Sequence, residues 1–311
     1  MSSSVSLSPV IPLRIWVAAA VAALAFLSCM AAQAAAPHVT ARAYLVENPV
    51  TGEILVQHGA WGRVPIASLT KLMTVVVTLE RARWNDVVRV RSDAADVGES
   101  TVNLRAGERL TVGDLVKAAL IQSANDAADA LADYASHGDQ KAFIALMNAK
   151  AKDIGLDGTH FVRPDGLDVP GHYSTARDVT KLAEVAMQDP RIRSVVRLRT
   201  DTIAGHRRLH TWNDLLGVFR GLYGVKTGHT AAAGWCEVAA VRRNGVTLYT
   251  TVLGSPNRSQ RNHDLAALLR WGISSHTGRY REMPQRRSAA RSWRRRVSQC
   301  GCGPTSRSSS T

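Results

Sequence analysis

Apolar residues along the chain define two strand-rich regions with a helical region between them. The runs 41–46 and 53–57 have the spacing of β-strands, and residues 48–52 between them, which include Pro and Gly, predict a turn. Further along, Asn244-Gly245 is typical of a two-residue hairpin turn. Other strands are predicted at 87–90, 199–203, 234–242 and 246–253.

Between the strand-rich regions, apolar residues recur every three or four positions, as they do in helices. Thr111, followed three residues later by Asp114, marks the start of one helix. Helices are predicted at 112–121, 126–134, 140–154, 176–188 and, after the last strand, 261–271. This order predicts an α/β protein of the α+β type, with an antiparallel sheet flanked by helices and an inserted helical lobe at about 91–198.

Residues 1–34 are typical of a secretory signal peptide. Arg14 precedes an apolar run at 15–27, and Ala-Gln-Ala at 32–34 matches a cleavage site. An uncleaved anchor and lipidation at Cys29 are the alternatives. We therefore expect an exported protein that works at the periplasmic or extracellular face of the cell envelope.

The formal net charge of +14 is concentrated near the C-terminus. Residues 279–311 contain nine Arg, one Glu and few large apolar side chains, so we expect 276–311 to be a basic, disordered tail after a folded domain at 35–275. The tail is interpreted either as a solvated extension or as a segment with weak attraction to anionic membrane surfaces. No basic stripe or nucleic-acid motif precedes the tail, which argues against DNA or RNA as a partner.

The segment 65–74 places Ser68 and Lys71 three residues apart at the start of a predicted buried helix. Free N–H groups at a helix N-terminus suit an oxygen that carries negative charge during acyl transfer. A buried lysine loses proton affinity, so Lys71 can act as a base toward Ser68. On its own, the pair also fits a serine helix cap followed by a surface lysine.

Two further motifs offer matching chemistry. Ser123 can relay a proton and Asn125 can hydrogen-bond a substrate amide, and both lie between predicted helices. In the sequence Lys-Thr-Gly-His at 226–229, the glycine lets an extended peptide approach a strand edge, while the lysine and threonine offer a charge and a hydroxyl. Motifs of these kinds in this order are typical of class A β-lactamases and penicillin-binding proteins.

With these motifs the chain resembles the D-alanyl-D-alanine carboxypeptidases, which are low-molecular-weight penicillin-binding serine peptidases of the S11 type. The resemblance runs from about Ala41 to Ile273 and is carried by the segments 65–74, 155–161, 164–167, 174–178 and 226–230, with Ala233-Gly234 after the last. It implies the β-lactamase/transpeptidase fold and a catalytic domain at 35–275. It also implies removal of the terminal D-Ala from peptidoglycan stem peptides through an acyl-enzyme during cell-wall remodelling, without metal or cofactor, and covalent inhibition by β-lactam antibiotics.

The resemblance further implies roles for individual residues. Ser68 corresponds to the acylated nucleophile and Lys71 to its general base, while Ser123 and Asn125 correspond to a second catalytic element. The implied substrate-binding residues are Lys226, Thr227, Gly228, His229 and Arg261.

Within the implied binding set, Lys226 and Thr227 recognise the substrate carboxylate, and Arg261 matches an arginine that helps to hold it. The backbone N–H groups of Ser68 and His229 are implied as the oxyanion hole.

Two other functions fit parts of the pattern. A class A β-lactamase needs a glutamate that activates the deacylating water, and between Asn125 and Lys226 the sequence offers only Glu184, too close to the Lys-Thr-Gly motif. A catalytically inactive peptidoglycan-binding module would keep the same pocket without turnover. Covalent labelling by penicillin distinguishes such a module from an enzyme.

Overall fold

The computed structural model of the chain describes residues 35–282, in which nine strands form three sheets. In chain order the strands are β1 (Ala43–Asn48), β2 (Glu53–His58), β3 (Val87–Arg89), β4 (Arg109–Thr111), β5 (Thr200–Ile203), β6 (Arg207–His210), β7 (Leu222–Thr230), β8 (Gly234–Arg243) and β9 (Val246–Ser255). Five of them form one antiparallel sheet in the order β2-β1-β9-β8-β7, which makes β7 an edge strand. The pairs β3-β4 and β5-β6 are separate two-stranded sheets.

The helices lie mainly between β3 and β5, where they form the inserted lobe. The α-helices of the described residues are α1 (Lys71–Leu79), α2 (Ser92–Ala95), α3 (Val112–Lys117), α4 (Asn125–Ala135), α5 (Gln140–Asp153), α6 (Ala176–Ala186), α7 (Pro190–Val196) and α8 (Arg258–Glu282). A 3-10 turn at Ala67–Thr70 leads into α1, and a π-helical turn at Ala118–Gln122 follows α3.

Apolar side chains cover both faces of the large sheet. On one face, Leu265, Leu268 and Leu269 of α8 pack with residues of β8 and β9 such as Val241 and Val252. On the other face, a second core joins the sheet to the helical lobe, and every residue of α1 is buried in it. Because α1 is enclosed on all sides, the residues at its start have little freedom to move.

The predicted fold class, an antiparallel sheet flanked by helices with an inserted helical lobe, is confirmed. The short helix α7 and the strand β6 are absent from the sequence-based prediction. Helix α8 begins at Arg258 rather than 261 and continues to Glu282, past residue 275, where the predicted tail begins. The rest of that tail and the predicted signal peptide lie outside the described residues. None of the helices in residues 35–282 is long and apolar enough to cross a membrane.

The loop between α5 and α6 holds the 3-10 turn in place. Gly166 has φ +85°, and a Cβ there would collide with the carbonyl group of Ala67, so the close approach requires glycine. The Nε2 of His172 lies 2.8 Å from the hydroxyl of Thr70. The Nδ1 of the same ring accepts a hydrogen bond from the backbone N–H of Val162 (3.1 Å). The ring therefore fits its site only when it is neutral, and burial lowers the pKa of His172 to about 4.

We predict that His172 makes the folded state sensitive to acid. The unfolded chain binds a proton at His172 near pH 6.5, while the folded chain resists protonation until about pH 4, so stability falls as pH drops across this window. The difference between these two pKa values corresponds to a loss of about 3 kcal/mol in the free energy of unfolding. Urea unfolding at pH 7 and pH 4 should show a smaller loss of stability for His172→Gln than for the wild type. His160→Gln, which changes an exposed neighbouring ring, should behave like the wild type. Equal losses in all three proteins would contradict this role for His172.

Candidate active site

Ser68 and Lys71 meet at the junction of the 3-10 turn and α1. Ser68 is partly buried within the turn, and Lys71 is the first residue of the helix. The Nζ of Lys71 lies 2.8 Å from the Oγ of Ser68, so the hydroxyl and the amine are in direct hydrogen-bonding contact. The predicted pairing of these two side chains is present in the structure.

Lys71 is fully buried among neutral oxygen atoms. Besides Ser68, its Nζ donates to Oδ1 of Asn125 (2.7 Å) and to the backbone carbonyl of Asp165 (2.6 Å). Burial lowers the pKa of Lys71 to about 8, although the nearby carboxylate of Asp165 favours the charged form. That carboxylate is itself paired with Arg163, with Nη2 and Oδ2 2.6 Å apart. The amine therefore gives up its proton far more readily than a surface lysine does.

Ser123 and Asn125 approach Lys71 and β7 from the helical lobe. Ser123 follows the π-helical turn with φ 66° and ψ 30°, a left-handed conformation that is rare for serine. Its Oγ accepts a hydrogen bond from the Nζ of Lys226 (2.7 Å), which also donates to the backbone carbonyl of Thr227 (2.8 Å). Burial, and then the positive charge of Lys71, hold the pKa of Lys226 well below its usual value. Two lysines and two serines therefore face one another in a buried polar cluster.

The edge strand β7 lies directly against the turn that carries Ser68. A Cβ at Gly228 would lie 2.9 Å from the backbone nitrogen of Ser68, so the strand comes this close because position 228 has no side chain. Thr227 is buried beside it, whereas His229 is exposed and lies against Trp235, with ring centroids 4.1 Å apart and the ring planes tilted by 30°. The strand edge next to Ser68 thus stays open to an extended ligand.

A pocket opens above the Ser68 hydroxyl. Its lining residues are Ser68, Glu99, Ser100, Ser123, Trp212, Thr227, Gly228, His229, Trp235 and Arg261. Arg261 is nearly fully buried, with its Nε 3.1 Å from Oε2 of Glu237 and its Nη2 3.2 Å from Oδ2 of Asp214. Six of the nine predicted site residues line this pocket, and the other three, Lys71, Asn125 and Lys226, are hydrogen-bonded to its lining serines or to one another.

Several pocket residues are not found by the motif analysis. Glu99 and Trp212 lie in loops without a recognisable pattern, so nothing in the sequence alone marks them. Glu237 lies behind the pocket lining, where it contacts Arg261, and it does leave a signal, because it is a charged residue inside the otherwise apolar core of β8. Within residues 35–282, no group of three or more His, Cys, Asp or Glu side chains is arranged to hold a metal ion.

Comparison with known proteins identifies the family. A model of the D-alanyl-D-alanine carboxypeptidase family, Peptidase_S11, matches residues 30–257. The carboxypeptidase DacC of Escherichia coli is 36% identical over 76% of this chain, and DacF of Bacillus subtilis is 32% identical over 77%. The chain spans only 62% and 63% of the lengths of these two relatives.

A solved structure agrees with this relationship. The DD-transpeptidase of Streptomyces K15 is matched with a TM-score of 0.73 and 32% identity, over 77% of this chain and 99% of that one. Residues 30–257, which the family model matches, contain the Ser68–Lys71 pair, the Ser123–Asn125 element and the Lys226–His229 strand edge. The chain therefore belongs to the D-alanyl-D-alanine carboxypeptidase family of serine peptidases.

Proposed function

We propose that this protein is a serine-type D-Ala-D-Ala carboxypeptidase that removes the terminal D-Ala from peptidoglycan stem peptides through an acyl-enzyme. The observation that carries the proposal is the contact of 2.8 Å between the Ser68 hydroxyl and the buried amine of Lys71. A hydroxyl beside an amine with a lowered pKa is the arrangement that activates a serine nucleophile. Family membership supports the same reaction, with a β-lactam as a covalent inhibitor that mimics the substrate.

In the acylation step, neutral Lys71 accepts the proton of Ser68. Two of its N–H groups then donate to Asn125 and Asp165, which leaves its lone pair directed at the serine hydroxyl. The Oγ of Ser68 attacks the carbonyl carbon between the two D-Ala residues. The oxygen of that carbonyl becomes negative and accepts hydrogen bonds from the backbone N–H groups of Ser68 and His229.

Collapse of this intermediate breaks the C–N bond and releases the terminal D-Ala. Its amine takes up the proton held by Lys71, with the Ser123 hydroxyl as the relay, because Ser123 faces the pocket and Lys226 fixes its orientation at 2.7 Å. Water then attacks the ester carbonyl carbon while Lys71 takes one of its protons. The bond from that carbon to the Oγ of Ser68 breaks, and Lys71 returns the proton to Oγ, which restores the hydroxyl. Each step therefore uses Lys71 as the proton carrier, and water is the only reactant besides the peptide.

Substrate binding is assigned to the groups around the pocket. Asn125 can hydrogen-bond an amide of the acyl part, and the strand edge at Gly228 can pair with its backbone. Lys226, Thr227 and Arg261 supply charge and a hydroxyl for the terminal carboxylate. A catalytically inactive binding module is disfavoured because every reactive group of the family motif is present and in contact.

Transfer to an amine acceptor is a second candidate outcome for the acyl-enzyme. It is favoured by one finding, the match to a protein described as a DD-transpeptidase over 99% of that chain. Hydrolysis and transfer share the acylation step and differ only in whether water or an amine attacks the ester. The ratio of free to transferred acyl product, measured with an added amine, separates the two.

We also propose that residues 1–34 direct export of the protein, which then acts at the periplasmic or extracellular face of the cell envelope. Arg14, the apolar run 15–27 and the small residues at 32–34 support this. The basic residues of 279–311 support weak, salt-sensitive attraction to anionic lipid. N-terminal sequencing of the exported protein separates a signal that is cleaved near residue 34 from an uncleaved anchor, which would keep Met1.

The proposed activity is tested by release of D-Ala from a stem pentapeptide, followed by mass spectrometry. Ser68→Ala should release none, and Lys71→Ala should be slower by roughly 100- to 10,000-fold because the general base is lost. Lys226→Ala should lose about 10- to 150-fold in kcat/KM through the missing contact to the carboxylate. Lys152→Ala removes an exposed lysine and serves as the control. A wild-type protein that releases no D-Ala, or a Ser68→Ala variant that does, would contradict the proposal.

A β-lactamase needs a glutamate close to the acylated serine. Glu184, the candidate from the sequence, does not line the pocket, and Glu99 supplies the one side-chain carboxylate among the described residues that do. We predict that penicillin acylates Ser68 and stays attached. Glu99→Gln should leave the lifetime of the adduct unchanged, because Glu99 is exposed to solvent and its carboxylate is not positioned by burial to activate a water. Intact-protein mass spectrometry over time measures this lifetime, with Asp96→Asn as the matched control outside the pocket. Rapid loss of the adduct in the wild type, but not in Glu99→Gln, would support a β-lactamase instead.

A further inference from the structure

A buried glutamate that takes no part in the proposed reaction lies beneath the pocket. Glu237 sits in the middle of β8, directly opposite Thr227 of β7, and has no exposed surface. Side chains of directly opposed residues lie on the same face of a sheet, so Glu237 lies next to the threonine that lines the pocket. Its neighbours along the strand, Cys236 and Val238, are uncharged.

The partner of Glu237 is Arg261. The Nε of Arg261 lies 3.1 Å from Oε2 of Glu237, and both side chains are almost completely buried. Neither carboxylate oxygen makes a hydrogen bond to any of the described residues, so the contact is mainly one of charge. The Nε and Nη2 of Arg261 share Oδ1 of Asn262 at 3.0 and 2.6 Å, and Nη2 also meets Asp214. This edge of the guanidinium group is therefore occupied by protein.

The charges that face Glu237 come from three elements. Arg261 of α8 and Lys226 of β7 favour its ionised form, and Asp214, in the loop before β7, opposes it. Burial is stronger than either cation and raises the pKa of Glu237 to about 7. Near neutral pH the carboxyl group is thus divided between its charged and neutral forms.

We propose that Glu237 is a positioning residue that sets, through Arg261, how strongly the pocket binds the carboxylate of a ligand. This inference rests on the function proposed above, in which Lys226, Thr227 and Arg261 receive the terminal carboxylate. When Glu237 is ionised, it adds to Asp214 in offsetting the charge of Arg261, and it repels the carboxylate of a ligand. When Glu237 is protonated, this repulsion is removed and only Asp214 still offsets the charge of Arg261, so the ligand carboxylate meets a more positive site.

Proton binding at Glu237 and carboxylate binding in the pocket are then coupled. Each favours the other by the same factor, as linkage requires, and couplings of this kind are typically about 5- to 150-fold. Affinity for a carboxylate ligand should therefore fall as pH rises through the titration of Glu237. A glutamine at this position cannot ionise and should keep the high affinity.

The test measures binding rather than turnover. In the full chain carrying Ser68→Ala, isothermal titration gives the Kd of an Nα-acetylated peptide that ends in D-Ala-D-Ala, at pH 6 and at pH 8.5. Adding Glu237→Gln should leave the Kd at pH 6 nearly unchanged and lower the Kd at pH 8.5 by about fivefold or more. The C-terminal amide of the same peptide carries no carboxylate and should show no such difference.

A matched control is available on α6. Burial also raises the pKa of Glu184 to about 7, but Glu184 does not line the pocket, so Glu184→Gln should bind like the parent at both pH values. Glu237→Leu suits the apolar strand and supplies a second uncharged variant, with the same expected gain at pH 8.5. Equal affinity of the parent and both Glu237 variants at pH 8.5, or the same gain for the amide, would overturn the inference. Release of D-Ala by the wild type is measured separately, so failure here is distinct from failure of the proposed function.

Discussion

Burial of the Lys71 amine is the constraint on which the site depends. Its hydrogen-bond acceptors are the Ser68 hydroxyl, the Asn125 amide oxygen and the Asp165 carbonyl, none of which carries a full charge. The carboxylate of Asp165 is committed to Arg163, and burial raises the pKa of the nearby Asp129 carboxyl, which weakens its attraction for the ammonium form. Desolvation therefore outweighs the surrounding negative charge. A lysine in this setting can hold and return a proton at neutral pH.

The fold serves this site by bringing three separate parts of the chain to one point. Helix α1 is buried along its whole length and fixes Lys71, while glycine at positions 166 and 228 lets a loop and a strand approach the Ser68 turn closely. The left-handed backbone at Ser123 directs its hydroxyl toward Lys226. Most residues could not replace the two glycines, because a side chain would collide there, and most would be strained in the left-handed conformation of Ser123.

Much of the architecture could be predicted from apolar spacing and turn residues, including the sheet, the hairpin at Asn244 and most helices. The motif residues were accessible because their spacing places Ser68 beside Lys71 on one helical turn. Contacts across long chain separations were not accessible: Glu99 enters the pocket from a patternless loop, and helix α7 is too short to show a clear apolar repeat. The pairing of Glu237 with Arg261 depends on the register of β7 against β8 and on the position of α8, which no local pattern encodes.

Direct titration of the Lys71 amine tests the central claim most closely. In protein labelled with ¹³C at lysine Cε, the Lys71 signal is identified by its loss in Lys71→Ala, and its chemical shift is followed from pH 6 to pH 11. A midpoint near pH 8 is expected from the burial of the amine. A midpoint near 10.4, the ordinary value for lysine, would mean that burial does not lower the proton affinity of Lys71 and that too little neutral amine is present at neutral pH for it to be the base that activates Ser68.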